Sequence, residues 1–381
     1  MIKIVTIIGA RPQIIKSAAL NRIINEKYSA QIKEIIIHTG QHYDKNMSDV
    51  FFRELNIPKP AYNLKIGSGK HGEQTAKMIE GIESVLIKEK PDCVILYGDT
   101  NSTLAGALAA SKLKIPIAHI EAGLRSFNKV MPEEINRITC DHTSTFLFSP
   151  TQTGINNLIK EGFQKSAPPY SINNPYLCFS GDVMYDNSLY YLKTAQLKSK
   201  ILNKHKLISK KYILTTIHRE NNTDNINRLE NIFKGLEKIS IETNLQIVLP
   251  IHPRTLKTLK NLNKKLYSSI ENNKNIILIP PVSFFDIIML ENNSRIIITD
   301  SGGVQKEAFF YNVPSIILRS ETEWVEIIEN QAGILADANP DKMIGAVNYY
   351  IDNKKIEFIP LYGEGNAAEL ICNKLIKSFP V

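Results

Sequence analysis

The chain has 381 residues, of which 43% are hydrophobic and 22% are charged, values typical of a folded globular protein with, at this length, two domains. The net charge is +8, but the lysines are spread along the chain without an aromatic-interleaved basic patch, which argues against a nucleic-acid partner. No apolar run is long enough to cross a bilayer, so we expect no membrane partner.

The four cysteines are scattered and show no paired spacing. This pattern predicts neither a metal knuckle nor a disulfide framework, and it fits the reduced cytoplasm. The apolar N-terminal segment lacks a small-residue cleavage site and leads directly into a phosphate-loop pattern. We therefore interpret it as the first strand of the fold and not as a signal peptide.

Strand and helix patterns alternate through the first half of the chain, which is typical of a doubly wound parallel sheet. A proline-rich stretch at 168–175 interrupts the pattern and suggests an approach to a domain boundary. The alternation restarts after it and ends near Gly363, before a predicted terminal helix at 367–377. The predicted strands are 2–8, 34–39, 93–97, 115–121, 146–149, 212–217, 246–251, 275–279, 296–299 and 315–318, and the predicted helices include 74–88 and 101–112.

Two such α/β domains imply a cleft that faces the carboxyl ends of the strands, where open parallel sheets bind their ligands. Six motifs lie at predicted strand ends. The first strand is followed by Gly9-Ala-Arg11-Pro-Gln-Ile-Ile-Lys16. Because cations are disfavoured at a helix N-terminus, Arg11 and Lys16 indicate an anionic ligand such as a diphosphate, although solvated side chains remain the alternative.

Carboxylates end two other strands. Asp99 follows one of them, where a helix-capping role is the alternative, and Glu121 ends the next. Glu133 and Arg137 belong to Pro-Glu-Glu-Ile-Asn-Arg at a helix start; an i,i+4 ion pair is the simple explanation, and a shared face toward the cleft is the functional one.

In the second half, Asp300-Ser301-Gly302-Gly303 follows a buried strand, and a helix is predicted to start at Val304. This is the arrangement of an anion site, with phosphate as the anion and Glu307 available to a ribose. A glycine-containing helix start also occurs in many α/β proteins without a ligand. His218 and His252 each follow a strand and precede an arginine closely, which favours a ligand-binding role.

The stretch from Gly67 to Gly72 matches G-x-G-x-x-G literally. The preceding strand is short, and Asp92 begins the next strand where a dinucleotide fold has an acid at its end. We interpret this stretch as a flexible loop, and we expect no nicotinamide, other cofactor or metal.

In this order, these motifs together with Gln41-His42, Glu121-Ala-Gly-Leu-Arg125 and Thr216–Asn221 resemble the non-hydrolysing UDP-N-acetylglucosamine 2-epimerase family over nearly the whole chain. The resemblance implies the glycosyltransferase-B architecture: two Rossmann-like doubly wound parallel-sheet domains, residues 1–178 completed by a C-terminal helix at 366–381, and a UDP-binding domain at 179–365. It also implies a homodimer that epimerises a UDP-sugar at C2 through a 2-acetamidoglucal, for cell-surface polysaccharides.

By position in the motifs, the resemblance assigns catalysis to Asp99, Glu121, Glu133 and His218, without separating acid from base. The candidate substrate-binding residues, from the motifs and the resemblance together, are Arg11, Lys16, Arg137, Asn221, His252, Ser301, Gly302, Gly303 and Glu307.

Two departures from the family pattern concern the substrate. Gln13 replaces a usual glutamate, and Trp324 replaces a usual arginine; both resemble the branch acting on modified sugars such as UDP-2,3-diacetamido-glucuronate. Asp44 stands where members regulated by a second substrate have glutamine, which argues against such regulation. A glycosyltransferase or a non-catalytic nucleotide-sugar sensor of the same architecture are the competing hypotheses, but a transferase usually needs one base and this chain has three acids.

Overall fold

The computed structural model describes residues 1–41, 55, 57–262, 264–352 and 356–379. The chain forms two compact units, unit 1 with Met1–Asn187 and Pro360–Val381 and unit 2 with Ser188–Ile359. The division falls within a helix, after the boundary predicted at residue 178. His42 and Asp44, on which two sequence interpretations depend, lie outside the described residues.

Within the described part of unit 1, seven strands form one parallel sheet in the order β3-β2-β1-β4-β5-β6-β7. Their bounds are β1 Ile2–Ile8, β2 Ile32–His38, β3 Tyr62–Asn63, β4 Cys93–Tyr97, β5 Ile117–Ile120, β6 Phe146–Ser149 and β7 Tyr176–Phe179. The helices of this unit are α1 Arg11–Ile23, continued by a π-helical turn at Ile24–Tyr28, α2 His71–Glu89, α3 Asn101–Lys112, α4 Pro132–Thr143, α5 Gln152–Lys160 and α6 Val183–Lys198, which crosses the division.

Unit 2 has a second parallel sheet, whose six described strands follow the order β10-β9-β8-β11-β12-β13. The strands are β8 Tyr212–Thr216, β9 Gln246–Pro250, β10 Ile276–Ile279, β11 Ile296–Thr299, β12 Ser315–Ile317 and β13 Gly333–Leu335. The helices are α7 Ile201–Lys204, α8 Glu220–Thr223, α9 Ile226–Thr243, α10 Pro253–Leu262, α11 Lys264–Asn272, α12 Phe284–Asn293, α13 Gly302–Phe310, α14 Val325–Glu329 and α15 Pro340–Asp352.

Both sheets share one topology. Strand order reverses between β1 and β4 in unit 1 and between β8 and β11 in unit 2, and these neighbours pair in parallel. The carboxyl ends of two such strands are where doubly wound folds bind ligands. The prediction of two Rossmann-like parallel-sheet domains is therefore confirmed, and the motifs at residues 9–16, 98–99, 217–222 and 300–303 all lie at these reversals.

The buried strands explain why the sheets form. Residues such as Val5, Leu96 and Ile117 in unit 1, and Ile213 and Ile296 in unit 2, are almost completely buried. Continuous β-branched and aliphatic runs of this kind are expected when helices cover both faces of a parallel sheet. Among the described helices, none combines the length and the apolar character needed to cross a bilayer.

The C-terminal helix α16, Ala367–Ser378, returns to unit 1. The Asp186 carboxylate accepts the backbone N–H groups of Ala367 and Ala368 at 3.1 and 2.8 Å and so satisfies two donors at the start of this helix. Farther along, Tyr28 donates to Asn373 at 2.9 Å. These contacts make the terminal segment part of the first domain.

Two differences from the predicted boundaries affect motifs. Helix α13 starts at Gly302 and not at Val304, because Ser301 is the N-cap residue and its hydroxyl accepts the Val304 N–H. Helix α2 begins at His71, so Gly72, assigned to a loop from the G-x-G-x-x-G match, lies in the helix.

Candidate functional site

The loop after β1 is fixed by the buried side chain of Gln13. Its carbonyl oxygen accepts the N–H groups of Gly9 and Ala10 at 2.9 and 3.1 Å. Its amide nitrogen donates to the Tyr97 carbonyl and to the Thr103 hydroxyl, both at 3.0 Å. All four hydrogen-bonding capacities of the amide are therefore used, and they tie the β1 loop to the end of β4.

Lys16 and Glu121 form an ion pair at this edge of the sheet. The lysine Nζ contacts the glutamate Oε2, and the two side chains are 14% and 7% exposed. A Cβ added to Gly98 would lie 3.2 Å from Glu121 Oε2 and 3.3 Å from Lys16 Nζ. The helix after β1, the turn after β4 and the turn after β5 therefore meet, and this brings Lys16 and Glu121, two of the predicted site residues, together.

Glu121 has an unusual backbone. Its φ angle is +81°, and Gly123, two residues later, has φ +80°. For a residue with a side chain, this region of φ is sparsely populated and persists only where surrounding structure enforces it. The turn after β5 thus holds the Glu121 carboxylate in a strained, defined position.

Asp99 is paired with Arg137, whose guanidinium contacts the aspartate Oδ2. Asn136 adds a hydrogen bond of 2.8 Å to the Asp99 carbonyl. The capping alternative for Asp99 is not realised, because Thr100 is the N-cap of α3 and accepts the Thr103 N–H. The structure therefore brings Asp99 and Arg137 together, as two residues of one site would be.

The Pro-Glu-Glu helix places its two acids differently. Glu134 is buried and accepts hydrogen bonds from Ser126 and Phe127 and, at 2.8 Å, from Arg137. Burial alone would raise the pKa of Glu134. The hydrogen bonds from Ser126 and the charge of the nearby Arg137 outweigh this effect and hold that pKa below its ordinary value. Glu133, the predicted catalytic acid, lies exposed in the first turn. Glu134 is thus a positioning group for Arg137 that sequence reasoning missed.

A second buried group also escaped the sequence analysis. His119 lies within β5, with its Nδ1 2.7 Å from the Asp141 carboxylate and its Nε2 2.9 Å from the Gly98 carbonyl. Arg125 also pairs with Asp141, at 2.7 Å. The available signal was a histidine between two apolar residues of a buried strand, where a polar side chain needs a partner.

In unit 2, Asp300 organises the loop after β8. Its fully buried carboxylate accepts the backbone N–H of His218 at 3.0 and 3.1 Å and that of Arg219 at 3.1 Å. The Asn222 amide donates to the same carboxylate at 3.1 Å. These bonds hold His218 and the exposed Asn221 next to the turn after β11.

The Ser301-Gly302-Gly303 turn begins α13. The Ser301 N–H donates to Thr299 Oγ1 at 3.0 Å, and Gly303 is exposed, with only the Ser301 hydroxyl within 4 Å of an added Cβ, at 3.8 Å. A helix N-terminus with an open glycine can offer N–H groups and the positive end of its dipole to an anion. His252 lies exposed just beyond β9, which is the neighbour of β8 in the sheet.

Glu307 follows one turn into α13 and lies near a second acid, Glu291 of α12. Glu291 is 1% exposed, and within the described residues neither of its carboxyl oxygens has a hydrogen-bond partner. Burial first, and then the charge of Glu307, raise the pKa of Glu291 well above its ordinary value. Burial in this position therefore favours the neutral form of the Glu291 carboxyl.

The described residues contain no group of three or more His, Cys, Asp or Glu side chains placed to hold a metal ion. The four cysteines are free. What the geometry offers is acid–base chemistry in unit 1, where carboxylates lie beside cations, and anion binding in unit 2.

Comparison with known proteins decides the family. The family model described as UDP-N-acetylglucosamine 2-epimerase matches residues 25–376. The chain belongs to this family. A relative in Methanococcus maripaludis, named a UDP-N-acetylglucosamine 2-epimerase homolog, is 49% identical to this chain. The matched region covers 98% of this chain and 99% of the relative.

Two further members of the UDP-N-acetylglucosamine 2-epimerase family bear on the substrate. The UDP-2,3-diacetamido-2,3-dideoxy-D-glucuronate 2-epimerase of Pseudomonas aeruginosa is 45% identical over 98% of this chain and 99% of its own length. The crystal structure of the Methanocaldococcus jannaschii UDP-GlcNAc 2-epimerase with UDP-GlcNAc and UDP has a TM-score of 0.84 at 45% identity, covering 98% of this chain and 99% of that one.

Trp324, one departure from the family pattern, packs close to the Ser301-Gly302-Gly303 turn. It is 5% exposed, and its Nε1 would lie 3.6 Å from a Cβ on Gly302. Lys306 places its ammonium 4.2 Å from the centre of the indole ring, a cation–π contact. The tryptophan is therefore positioned to affect whatever binds at the turn.

Replacing Glu291 with methionine should stabilise the protein. The folded wild type keeps a proton that the unfolded chain releases above about pH 4.3, so wild-type stability falls as pH rises above that value. We expect Glu291→Met to gain about 1–3 kcal/mol at pH 7.5, a rise in melting temperature of about 2–4 °C per kcal/mol, and a smaller gain at pH 4. Calorimetry at both pH values measures the change in melting temperature, with Glu329→Met at an exposed position as control. A loss of stability at pH 7.5 would contradict the raised pKa of Glu291.

Proposed function

We propose that this chain is a UDP-N-acetylglucosamine 2-epimerase that interconverts the gluco and manno epimers of its UDP-sugar. The family membership supports an isomerase of nucleotide sugars, and one local observation supports the chemistry. Lys16 and Glu121 are in contact beside the Gly98 turn, and Asp99 follows that turn in contact with Arg137. Epimerisation at carbon requires such groups, because a proton must leave one face and return to the other.

The proposed reaction has two balanced halves. A carboxylate takes the C2 proton, the C2–H electron pair forms the C1=C2 double bond of a 2-acetamidoglucal, and the C1–O bond breaks so that UDP leaves with the electron pair of the C1–O bond. UDP oxygen then attacks C1 again, and C2 receives a proton on the opposite face. No electrons are gained or lost overall, so the reaction needs no oxidant or reductant.

The residues of unit 1 suit the proton transfers. The Lys16 ammonium contacts the Glu121 carboxylate, and the Arg137 guanidinium contacts the Asp99 carboxylate. Because each acid has a cation beside it, the contacts leave open which acid acts on which face. Glu133 and His218, which are both exposed, are the other two residues that we propose for catalysis.

The residues of unit 2 suit the nucleotide. We infer that the Ser301-Gly302-Gly303 turn binds the diphosphate through its N–H groups and the helix dipole, and that the Glu307 carboxylate accepts hydrogen bonds from the ribose hydroxyls. The other proposed substrate-binding groups are Arg11, Lys16, Arg137, Asn221 and His252. The homodimer, the cytoplasmic location and the polysaccharide pathway stay predictions.

A second substrate is favoured by a specific observation. Trp324 packs at the Gly302 turn where the family usually has an arginine, and a relative named for UDP-2,3-diacetamido-2,3-dideoxy-D-glucuronate is 45% identical. We therefore propose, as the alternative, that the enzyme catalyses the same reaction on this sugar. A bulkier, charged sugar needs a site of different shape and charge.

The function is tested by proton NMR of the purified protein in deuterated water. With UDP-N-acetylglucosamine, we expect the C2 proton to exchange for deuterium and the manno epimer to appear, without lasting release of UDP. The same experiment with UDP-2,3-diacetamido-glucuronate is run in parallel. The sugar with the higher kcat/KM is the preferred substrate. UDP binding without exchange on either sugar would remove the epimerase and favour a glycosyltransferase.

Removing either member of the Lys16–Glu121 pair should abolish proton transfer. We expect Lys16→Met and Glu121→Gln each to lower kcat for C2 exchange by about 10²–10⁴-fold, the range that a positioned acid or base contributes. The exposed Lys112→Met is the matched control and should retain wild-type activity. Exchange within threefold of wild type in a folded Glu121→Gln protein would exclude Glu121 from the reaction.

A methyl group at Gly303 should weaken nucleotide binding without unfolding the protein. The space around this position is open, so the added group occupies the proposed anion site. We expect the Kd for UDP in Gly303→Ala to rise about tenfold, equivalent to about 1.4 kcal/mol, by isothermal titration calorimetry. The control is Gly345→Ala, at a second helical glycine where no atom lies within 4 Å of an added Cβ. This variant should bind UDP as wild type does. Equal affinities of the two variants would place the diphosphate elsewhere.

A further inference from the structure

His119 faces hydrogen-bond acceptors on both sides of its ring. Nε2 lies 2.9 Å from the Gly98 carbonyl, which can only accept, so this nitrogen must carry a proton. Nδ1 lies 2.7 Å from Asp141 Oδ1, and the other oxygen of Asp141 already accepts from the Gly123 N–H at 3.1 Å and from Arg125 at 2.7 Å. A carboxylate with these donors is ionised, so Nδ1 also carries a proton and the ring is an imidazolium.

The surrounding charges balance this cation. Arg125 holds Glu161 through two parallel hydrogen bonds of 2.7 and 2.6 Å. Two cations, His119 and Arg125, therefore alternate with two anions, Asp141 and Glu161, in a chain of zero net charge. Burial alone would lower the pKa of His119, but the adjacent Cys140 and Asp141 raise it well above its ordinary value.

The imidazolium holds the turn that carries Asp99. Gly98 has φ +62°, and its carbonyl is the acceptor for His119. The preceding carbonyl, that of Tyr97, is held by Gln13 at 3.0 Å and Thr103 at 2.7 Å. The orientation of both peptide groups before Asp99 is thus set by side chains from three other segments.

The same pair holds the turn that carries Glu121. Asp141 accepts the Gly123 N–H, and Asn157 donates to the Gly123 carbonyl at 3.0 Å. These bonds enforce the positive φ angles of Glu121 and Gly123. His119 itself is fully buried, with both ring nitrogens engaged, so it does not exchange protons with a substrate.

We propose that His119 is a positioning residue, a constantly protonated imidazolium that, with Asp141, fixes the Gly98–Asp99 turn against the Glu121–Gly123 turn. The proposal rests on the proposed function, since these turns carry the acids assigned to proton transfer. Its role differs from simple packing: it sets the distance between groups that act on the sugar, so its loss affects the chemical step more than substrate binding.

The first test reads the protonation state directly. In wild-type protein labelled with ¹⁵N-histidine, we expect both ring nitrogens of His119 to carry protons from pH 6 to pH 9, with its signals assigned by their absence in His119→Gln. A ring with one unprotonated nitrogen at pH 7.5 would overturn the proposal. This readout needs no activity, so it stays decisive if neither sugar shows C2 exchange and the proposed function fails.

The second test separates kcat from KM. The amide introduced in His119→Gln is neutral, and both of its N–H groups are on one nitrogen, so it cannot donate on opposite sides to Gly98 and Asp141 as the imidazolium ring does. We expect kcat for C2 exchange to fall about 10–100-fold, with KM and the Kd for UDP within threefold of wild type. His205→Gln, at a half-buried histidine of unit 2 outside this chain of charges, is the control and should behave as wild type. An unchanged kcat in folded His119→Gln, or equal losses in kcat and in UDP affinity, would overturn the positioning role.

A milder change covers the case in which His119→Gln does not fold. Glu161→Gln alters the partly exposed end of the chain of charges and leaves His119 and Asp141 in place. In this variant the partner of Arg125 at position 161 is neutral and weaker, so Arg125 binds Asp141 more strongly and competes there with His119. We therefore expect kcat to fall about 3–10-fold at unchanged KM. A kcat equal to that of wild type would count against the proposal.

Discussion

The close approach of three strand ends at Gly98 is the constraint on which the site of unit 1 depends. A side chain at this position would meet the Glu121 carboxylate and the Lys16 ammonium, and the backbone there has a positive φ angle that suits glycine. Because residue 98 has no side chain, the helix after β1 and the turn after β5 can bring opposite charges into contact over it. Asp99, the next residue, is thereby held beside the same pair.

The charged residues of unit 1 form two layers that differ in their exposure to solvent. Lys16, Glu121, Asp99 and Arg137 keep some exposure, between 7% and 34% of each side chain, so an incoming ligand can replace part of their contacts. The layer below is sealed, with His119 and Asp141 at 0%. Breaking one partner of a sealed pair leaves an uncompensated buried charge, which costs about 3–5 kcal/mol. The lower layer therefore supports the upper one without taking part in exchange with solvent.

The sequence allowed the strand ends and their charged residues to be predicted, because parallel order at a sheet reversal is encoded by short, local patterns. Lys16 and Glu121 are neighbours for this reason. Contacts between distant segments could not be predicted in the same way. The choice of Glu134 over Glu133 as the buried acid depends on the rotation of α4 against its neighbours, and the His119–Asp141 pair joins a strand to a helix 22 residues away. Similarly, the burial of Glu291 has no local signature.

The amide of Gln13 has a consequence for how this chain can vary. Two of its bonds need an acceptor and two need a donor, so the glutamate usual in the family would place a second oxygen against the Tyr97 carbonyl. Gln13→Glu is thus not a conservative change in this background. Residue 13 and the Tyr97–Thr103 segment should show epistasis: the family's glutamate becomes tolerable only when the β4 turn changes its hydrogen bonding at the same time.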